Sequence, residues 1–157
     1  MGTASLALRR YDLARKSYET AIALDPDYVL ALVNLGVTLS LMGHFIKAIT
    51  HYQAGLKIDP NDMNSMIYIG NALQFKGEYD AAIESYSKAI ALAPNCAEAH
   101  NNLGNASENQ GNLQAAVKSY TQALVYQPEN EATQNNLIRA RQQLGVTAST
   151  KDRTNRP

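Results

Sequence analysis

The residues able to do chemistry in this chain are few, and their spacing argues against catalysis. Three histidines, His44, His51 and His100, and one cysteine, Cys96, stand among 14 acidic side chains. The histidines form neither HExxH nor any recurrent ligand set, so no metal site is expected. No local arrangement of histidine or lysine marks Cys96 as a nucleophile, and a lone cysteine forms no internal disulfide, which fits a reducing compartment. Asp59 and Asp62 flank a proline and read as turn and cap residues, not as an acid and base pair. Neither GxxxxGK[ST] nor GxGxxG occurs, so no loop is built to cradle a phosphate. A non-enzymatic protein without cofactors is the reading that remains.

What recurs instead is asparagine. Asn34, Asn64, Asn71, Asn101, Asn102, Asn105, Asn109, Asn135 and Asn136 carry side chains that both donate and accept hydrogen bonds. Such a group matches the N–H and C=O of an extended peptide without reading its sequence. Asparagine is a poor residue for a helix interior, because its side chain competes for backbone hydrogen bonds. Its repeated use on helices therefore asks what elements place it there.

Those elements repeat. Prolines fall at Pro26, Pro60, Pro94 and Pro128, each 34 residues after the last, and Gly43, Gly77, Gly111 and Gly145 keep the same step. Alanines 14, 48, 82 and 116 and tyrosines 18, 52, 86 and 120 do likewise. This pattern of small residues, aromatics and a closing proline resembles the tetratricopeptide repeat. The resemblance implies an all-α fold, a right-handed superhelical solenoid of antiparallel helix pairs.

With the closing proline as position 32, residues 1–28 are a truncated first repeat, half of one helix followed by a second over Tyr11 to Leu24. Repeats two, three and four span 29–62, 63–96 and 97–130. Helices are expected near 29–42, 45–58, 63–76, 79–92, 97–110 and 113–126. A capping helix fills 131–145, and 146–157, almost without apolar residues, reads as a disordered tail. Each turn glycine ends a first helix, and each closing proline stops a second. Arg9 stands at the first repeat's glycine place. Asp27, Asn61 or Asp62, Asn95 and Asn130 are candidate N-caps. The glycines inside helices, Gly36, Gly70 and Gly104, are expected to admit the position-20 alanine of the partner helix, with the position-24 tyrosine beside them.

On a helix, positions 2, 5, 6, 9, 12 and 13 form one stripe, and the resemblance makes it the concave, ligand-facing wall. The candidate peptide-binding residues on it are Asn34, Val37, Asn64, Ile67, Tyr68, Asn71, Phe75, Asn101, Asn102, Asn105, Asn109, Asn135, Asn136 and Arg139. The wall grades from apolar, with Leu30, Val33 and Leu41 beside Val37, to amide-rich. Asn34, Asn102 and Asn136 at position 6 look like the asparagine ladder of O-linked N-acetylglucosamine transferases, to whose repeats the fourth repeat is similar. The same asparagines are open to a plainer reading, in which they bond to neighbouring helices or to each other. Chaperone-binding members of the family clamp a carboxylate with groove lysines and an arginine. The corresponding places in repeats two to four hold no lysine or arginine, so that clamp is not expected.

Net charge is +0, with 14 basic and 14 acidic residues, which points away from nucleic acid. No apolar run approaches the roughly 18 residues of a membrane span. The reading is a cytoplasmic or nuclear scaffold that binds a protein or peptide. Two alternatives stand beside it: the substrate-recognising fragment of a larger glycosyltransferase, and a homo-oligomer assembled through an open N-terminal end.

Overall fold

The computed structural model describes residues 2–154, with side chains from 9 to 145. Among the described residues there are eight helices and no strands. They fall into two compact units, Met1–Glu78 and Tyr79–Pro157. The first holds α1 (Gly2–Leu24), α2 (Val29–Leu41), α3 (Phe45–Ile58) and α4 (Met63–Phe75). The second holds α5 (Tyr79–Leu92), α6 (Ala97–Asn109), α7 (Leu113–Tyr126) and α8 (Glu131–Thr154). Within each unit every helix packs on the next, and the two first-type helices also touch, α2 with α4 and α6 with α8.

The turn between α2 and α3 shows how the sequence dictates this layout. Gly43 takes φ +79°, a left-handed conformation that a Cβ disfavours by about 1–2 kcal/mol. Its N–H donates to Ser40 O at 2.9 Å and the next N–H, of His44, to Leu39 O at 2.8 Å. Two carbonyls left over at the helix end are thereby satisfied, and the chain reverses. Gly77 and Gly111 repeat the geometry at φ +80° and +89°.

At the same place in the first repeat stands Arg9, and the turn does not form. With no residue that tolerates the left-handed conformation, α1 runs unbroken from Gly2 to Leu24. The expected split of residues 1–28 into half a helix and a second helix is corrected accordingly. Gly145 shares the repeat place but not the positive φ, and α8 continues to Thr154. Glycine permits the turn without imposing it, and no second apolar stripe follows Gly145 to pack back. The backbone is thus helical over 146–154 where a tail was expected; residues 155–157 and the side chains from 146 onward lie outside the described residues.

The second-type helices end two residues ahead of their prolines, with Asp59 extended at φ −119° and ψ 92° before Pro60. Asp59 Oδ1 then accepts from Asn61 N at 3.0 Å, as Asp25 Oδ1 does from Asp27 N at 3.2 Å, bending the chain across the proline. Of the candidate caps, Asp62 accepts from Ser65 N and Asn130 from Thr133 N. Asp27 and Asn95 are not caps. Tyr28 and Cys96 hold those places, and neither side chain bonds to its helix.

In the first unit the core is Val33, Leu35, Leu39, Ala48, Tyr52 and Ile69. In the second, Ala116, Tyr120, Leu137 and Ala140 pack together. The in-helix glycines exist for the tyrosines more than for the alanines. A Cβ on Gly36 would meet Tyr52 Cε1 at 2.5 Å, and one on Gly104 would meet Tyr120 Cε1 at 2.5 Å. Each ring occupies the space a Cβ would need, and its packing there offsets the roughly 1 kcal/mol that glycine costs a helix.

Candidate functional site

In the first unit the stripe divides by depth. Ile67 is 2% exposed, so it belongs to the interior and is withdrawn as a ligand contact. Val33, at the same repeat place, is also buried. The reason is rotational: position 5 lies at the edge of the stripe that turns into the stack. Asn34, Val37, Tyr68 and Asn71 are half-buried, Asn64 is exposed, and Phe75 is 76% exposed.

Four of these come together. Val37, Tyr68, Asn71 and Phe75, with Ser40, Leu41, Tyr52 and Ala72, line a recess of about 150 Å³ between α2 and α4. Its floor is the Tyr52 ring, 5.5 Å from that of Tyr68. Its rim is Leu41 and Phe75, and Phe75 stacks on Phe45 with centroids 5.3 Å apart and planes at 7°. Burial pushes the Tyr52 hydroxyl above its ordinary pKa, partly countered by the 3.4 Å contact with Ser40 Oγ. Tyr52 is a contributor that sequence reasoning assigned to the core alone. It is both, because a ring filling the gap over Gly36 also shows an edge to the recess.

The second unit is built differently. Asn101 Oδ1 accepts from Thr133 Oγ1 at 3.1 Å and from Asn136 Nδ2 at 3.4 Å. Asn105 Oδ1 accepts from Asn136 Nδ2 at 3.3 Å and from the Tyr120 hydroxyl at 2.7 Å. The Tyr120 hydroxyl also lies 2.8 Å from Glu108 Oε2, so its one proton is shared between the two acceptors. Arg139 closes the array with two bonds to Glu108, from Nε at 2.8 Å and from Nη2 at 3.0 Å. The forked guanidinium and the carboxylate make a bidentate pair, the strongest geometry open to these groups.

These contacts set the electrostatics. The Arg139 guanidinium holds the Glu108 carboxyl below the usual carboxylate range, with help from Tyr120 and against burial. Burial pushes the Tyr120 phenol up, and the Glu108 charge pushes it further. A network with its acceptors filled in this way fastens α6, α7 and α8 to one another. Asn101, Asn105, Asn136 and Arg139 are therefore held within the protein. Asn102 accepts a 3.4 Å bond from Asn101, while Asn109 and Asn135 stand exposed.

Thr133, Glu108 and Tyr120 were not singled out as site residues from sequence. The signal for the ion pair was available: an acid at position 12 and a base at position 9 of the next unit, 31 residues apart.

One family model described as TPR repeat matches residues 4–43 and 70–111, and two described as tetratricopeptide repeat match 29–62 and 97–130. The chain belongs to the tetratricopeptide-repeat family. Two crystal structures of MamA share the fold, with TM-scores of 0.81 and 0.80 at 24% and 23% identity. They cover 93% and 97% of this chain, and 85% and 83% of theirs. The first tetratricopeptide-repeat domain of Spaghetti (RPAP3), bound to the HSP90 peptide SRMEEVD, is 25% identical with a TM-score of 0.72 over 74% of this chain and 93% of that one. No curated protein sequence matches. As a tetratricopeptide-repeat protein the chain is an all-α helical-repeat scaffold for protein interaction. Among the described residues no group of histidine, cysteine and carboxylates is placed to hold a metal ion, and no helix is long and apolar enough to cross a membrane.

Proposed function

We propose that this scaffold binds an extended peptide on its first-type helices, anchored by one apolar side chain in the recess between α2 and α4. The observation that carries the reading is the rim. Leu41 at 61% and Phe75 at 76% exposed leave large apolar surfaces in water beside an open recess, with the Asn71 amide next to them. An aliphatic side chain fits about 150 Å³, and burying it there would contribute roughly 1.5–3 kcal/mol. A small contact of this kind supports affinity near micromolar, about −8 kcal/mol. The peptide bound by the RPAP3 relative supports the class of ligand.

The asparagines then divide into two roles. Those bonded within the second unit hold the wall in shape, while Asn109 and Asn135 offer exposed amides. The acidic tail of the relative's peptide finds no matching clamp on these faces, because Arg139 is committed to Glu108.

A random-peptide display selection tests the reading, run on the parent and on Leu41→Ser with Phe75→Ala, both with unchanged far-ultraviolet circular dichroism. Enriched peptides sharing an apolar residue, and lost with the variant, are expected. A parent that enriches nothing, or a variant that enriches the same peptides, would overturn it.

A further inference from the structure

The first unit has another recess, of about 340 Å³, at the turn edge where α2 gives way to α3. It is lined by Gly43, His44, Phe45, Ile46, Lys47 and Lys76. Ile46 is 69% exposed there, more than any other side chain that α3 contributes to the apolar surface, and Phe45 backs it through its stack on Phe75. The lining is apolar with a cationic rim and contains no carboxylate.

The charges around it are unevenly matched. Lys76 pairs with Glu78 at 2.6 Å, an exposed contact that water screens. Lys47 has no ion-pair partner among the described residues. It also borders an adjoining recess, where Asp12 and Glu19 are both engaged by Arg15. Those two carboxylates pair with Arg15, and the edge presents apolar surface beside a lysine that forms no ion pair among the described residues.

We propose that this turn edge is a second docking surface, separate from the recess between α2 and α4, for a segment of another polypeptide in which an apolar side chain is flanked by carboxylates. The apolar residue covers Ile46 and Phe45, and the carboxylates meet Lys47 and Lys76. Charge complementarity selects the partner: on the other face Arg139 is tied to Glu108, whereas this edge holds two lysines and no carboxylate in its lining. Exposed apolar surface bordered by polar groups is where partner proteins dock.

The test is a nuclear magnetic resonance titration of the nitrogen-15-labelled full chain with two synthetic peptides, acetyl-EDLFEE-amide and acetyl-KKLFKK-amide. The acidic peptide is expected to shift the amides of Gly43, Ile46 and Lys47, and the basic one to leave them in place. Lys47→Glu should raise the Kd about two- to fivefold, the range of one exposed ion pair. Ile46→Ser, on a side chain already in water and so harmless to the fold, should raise it about tenfold or more. The response should persist in Leu41→Ser, which disables only the other recess and so separates the two readings. No shift at these amides, an equal response to both peptides, or shifts confined to the Val37 and Asn71 amides would overturn the proposal. So would concentration-dependent shifts at the same amides without peptide, which would make the occupant a second copy of this chain.

Discussion

Replacing Gly104 with alanine should cost far more than the same change at Gly36, although both glycines face a tyrosine at the same distance. In each case the new Cβ would lie 2.5 Å from ring carbon Cε1, of Tyr120 or of Tyr52. An ordinary carbon contact is about 3.5 Å, so the ring must retreat by roughly 1 Å. Overpacking of that kind costs about 1–3 kcal/mol, and the gain in helix propensity returns about 1. For Gly36→Ala the net is about 0–2 kcal/mol, since the Tyr52 hydroxyl has only a 3.4 Å contact with Ser40 to lose. The Tyr120 hydroxyl is held at 2.7 Å by Asn105 and at 2.8 Å by Glu108. Moving it breaks a hydrogen bond to a charged group, worth about 1.5–3 kcal/mol, so Gly104→Ala should lose about 1.5–5 kcal/mol. Urea unfolding followed by circular dichroism, with m-values compared, measures both. In a Tyr120→Phe background the extra cost of Gly104→Ala should vanish, which isolates the hydroxyl. If the two alanine variants fall within about 0.5 kcal/mol of each other, the argument from the hydroxyl is wrong.

The Glu108 carboxyl, held low by Arg139, contributes stability that is present above the ordinary carboxylate value of 4.5 and lost as pH falls through its lowered folded value. Glu108→Gln should therefore flatten the acid limb of stability against pH. His51 is lowered by burial against the pull of Glu19, so the folded state disfavours its charged form and stability should drop as pH falls below 6.5. His51→Gln should remove that part of the slope in the same titration. Tyr52, Tyr86 and Tyr120 are all raised by burial, giving stability that is complete below pH 10 and lost as pH rises through their folded values. Tyrosinate absorbance should show Tyr52, Tyr86 and Tyr120 ionising together with alkaline unfolding. Phe75→Ala removes an exposed ring stacked on Phe45 and should cost only about 0.5–1.5 kcal/mol on thermal unfolding while abolishing peptide capture.

The repeat was legible because stacking imposes one chemical demand every 34 residues, and the demand falls on residue types that little else satisfies. α3, α5 and α7 begin and end at the expected residues, and α2, α4 and α6 stop one residue early. The places where reading failed share a cause. Arg9 occupies a turn place that works only for a residue free to take positive φ, so periodicity alone put a break where the helix passes through. At position 5, helical geometry gives an angle but not a depth, and Ile67 went to the interior. The polar array of α6, α7 and α8 joins residues 31, 32 and 35 apart, a spacing that becomes adjacency only once the helices stack. Asparagine offered to a ligand and asparagine offered to a neighbour look alike in one dimension. The plainer of the two readings describes Asn101, Asn105 and Asn136.

The three glycine turns have a further property that concerns handedness. At Gly43, Gly77 and Gly111 the backbone sits at positive φ, where a mirror-image residue is at ease. A chain made by chemical ligation with D-alanine at these places would keep the same fold. It would also begin from a less disordered unfolded state, which favours folding by about 0.4–1 kcal/mol at each site. The scaffold thus accepts inverted stereochemistry at regular intervals, and each such joint is a peptide bond that ordinary proteases, shaped for L-residues, are poorly fitted to cut.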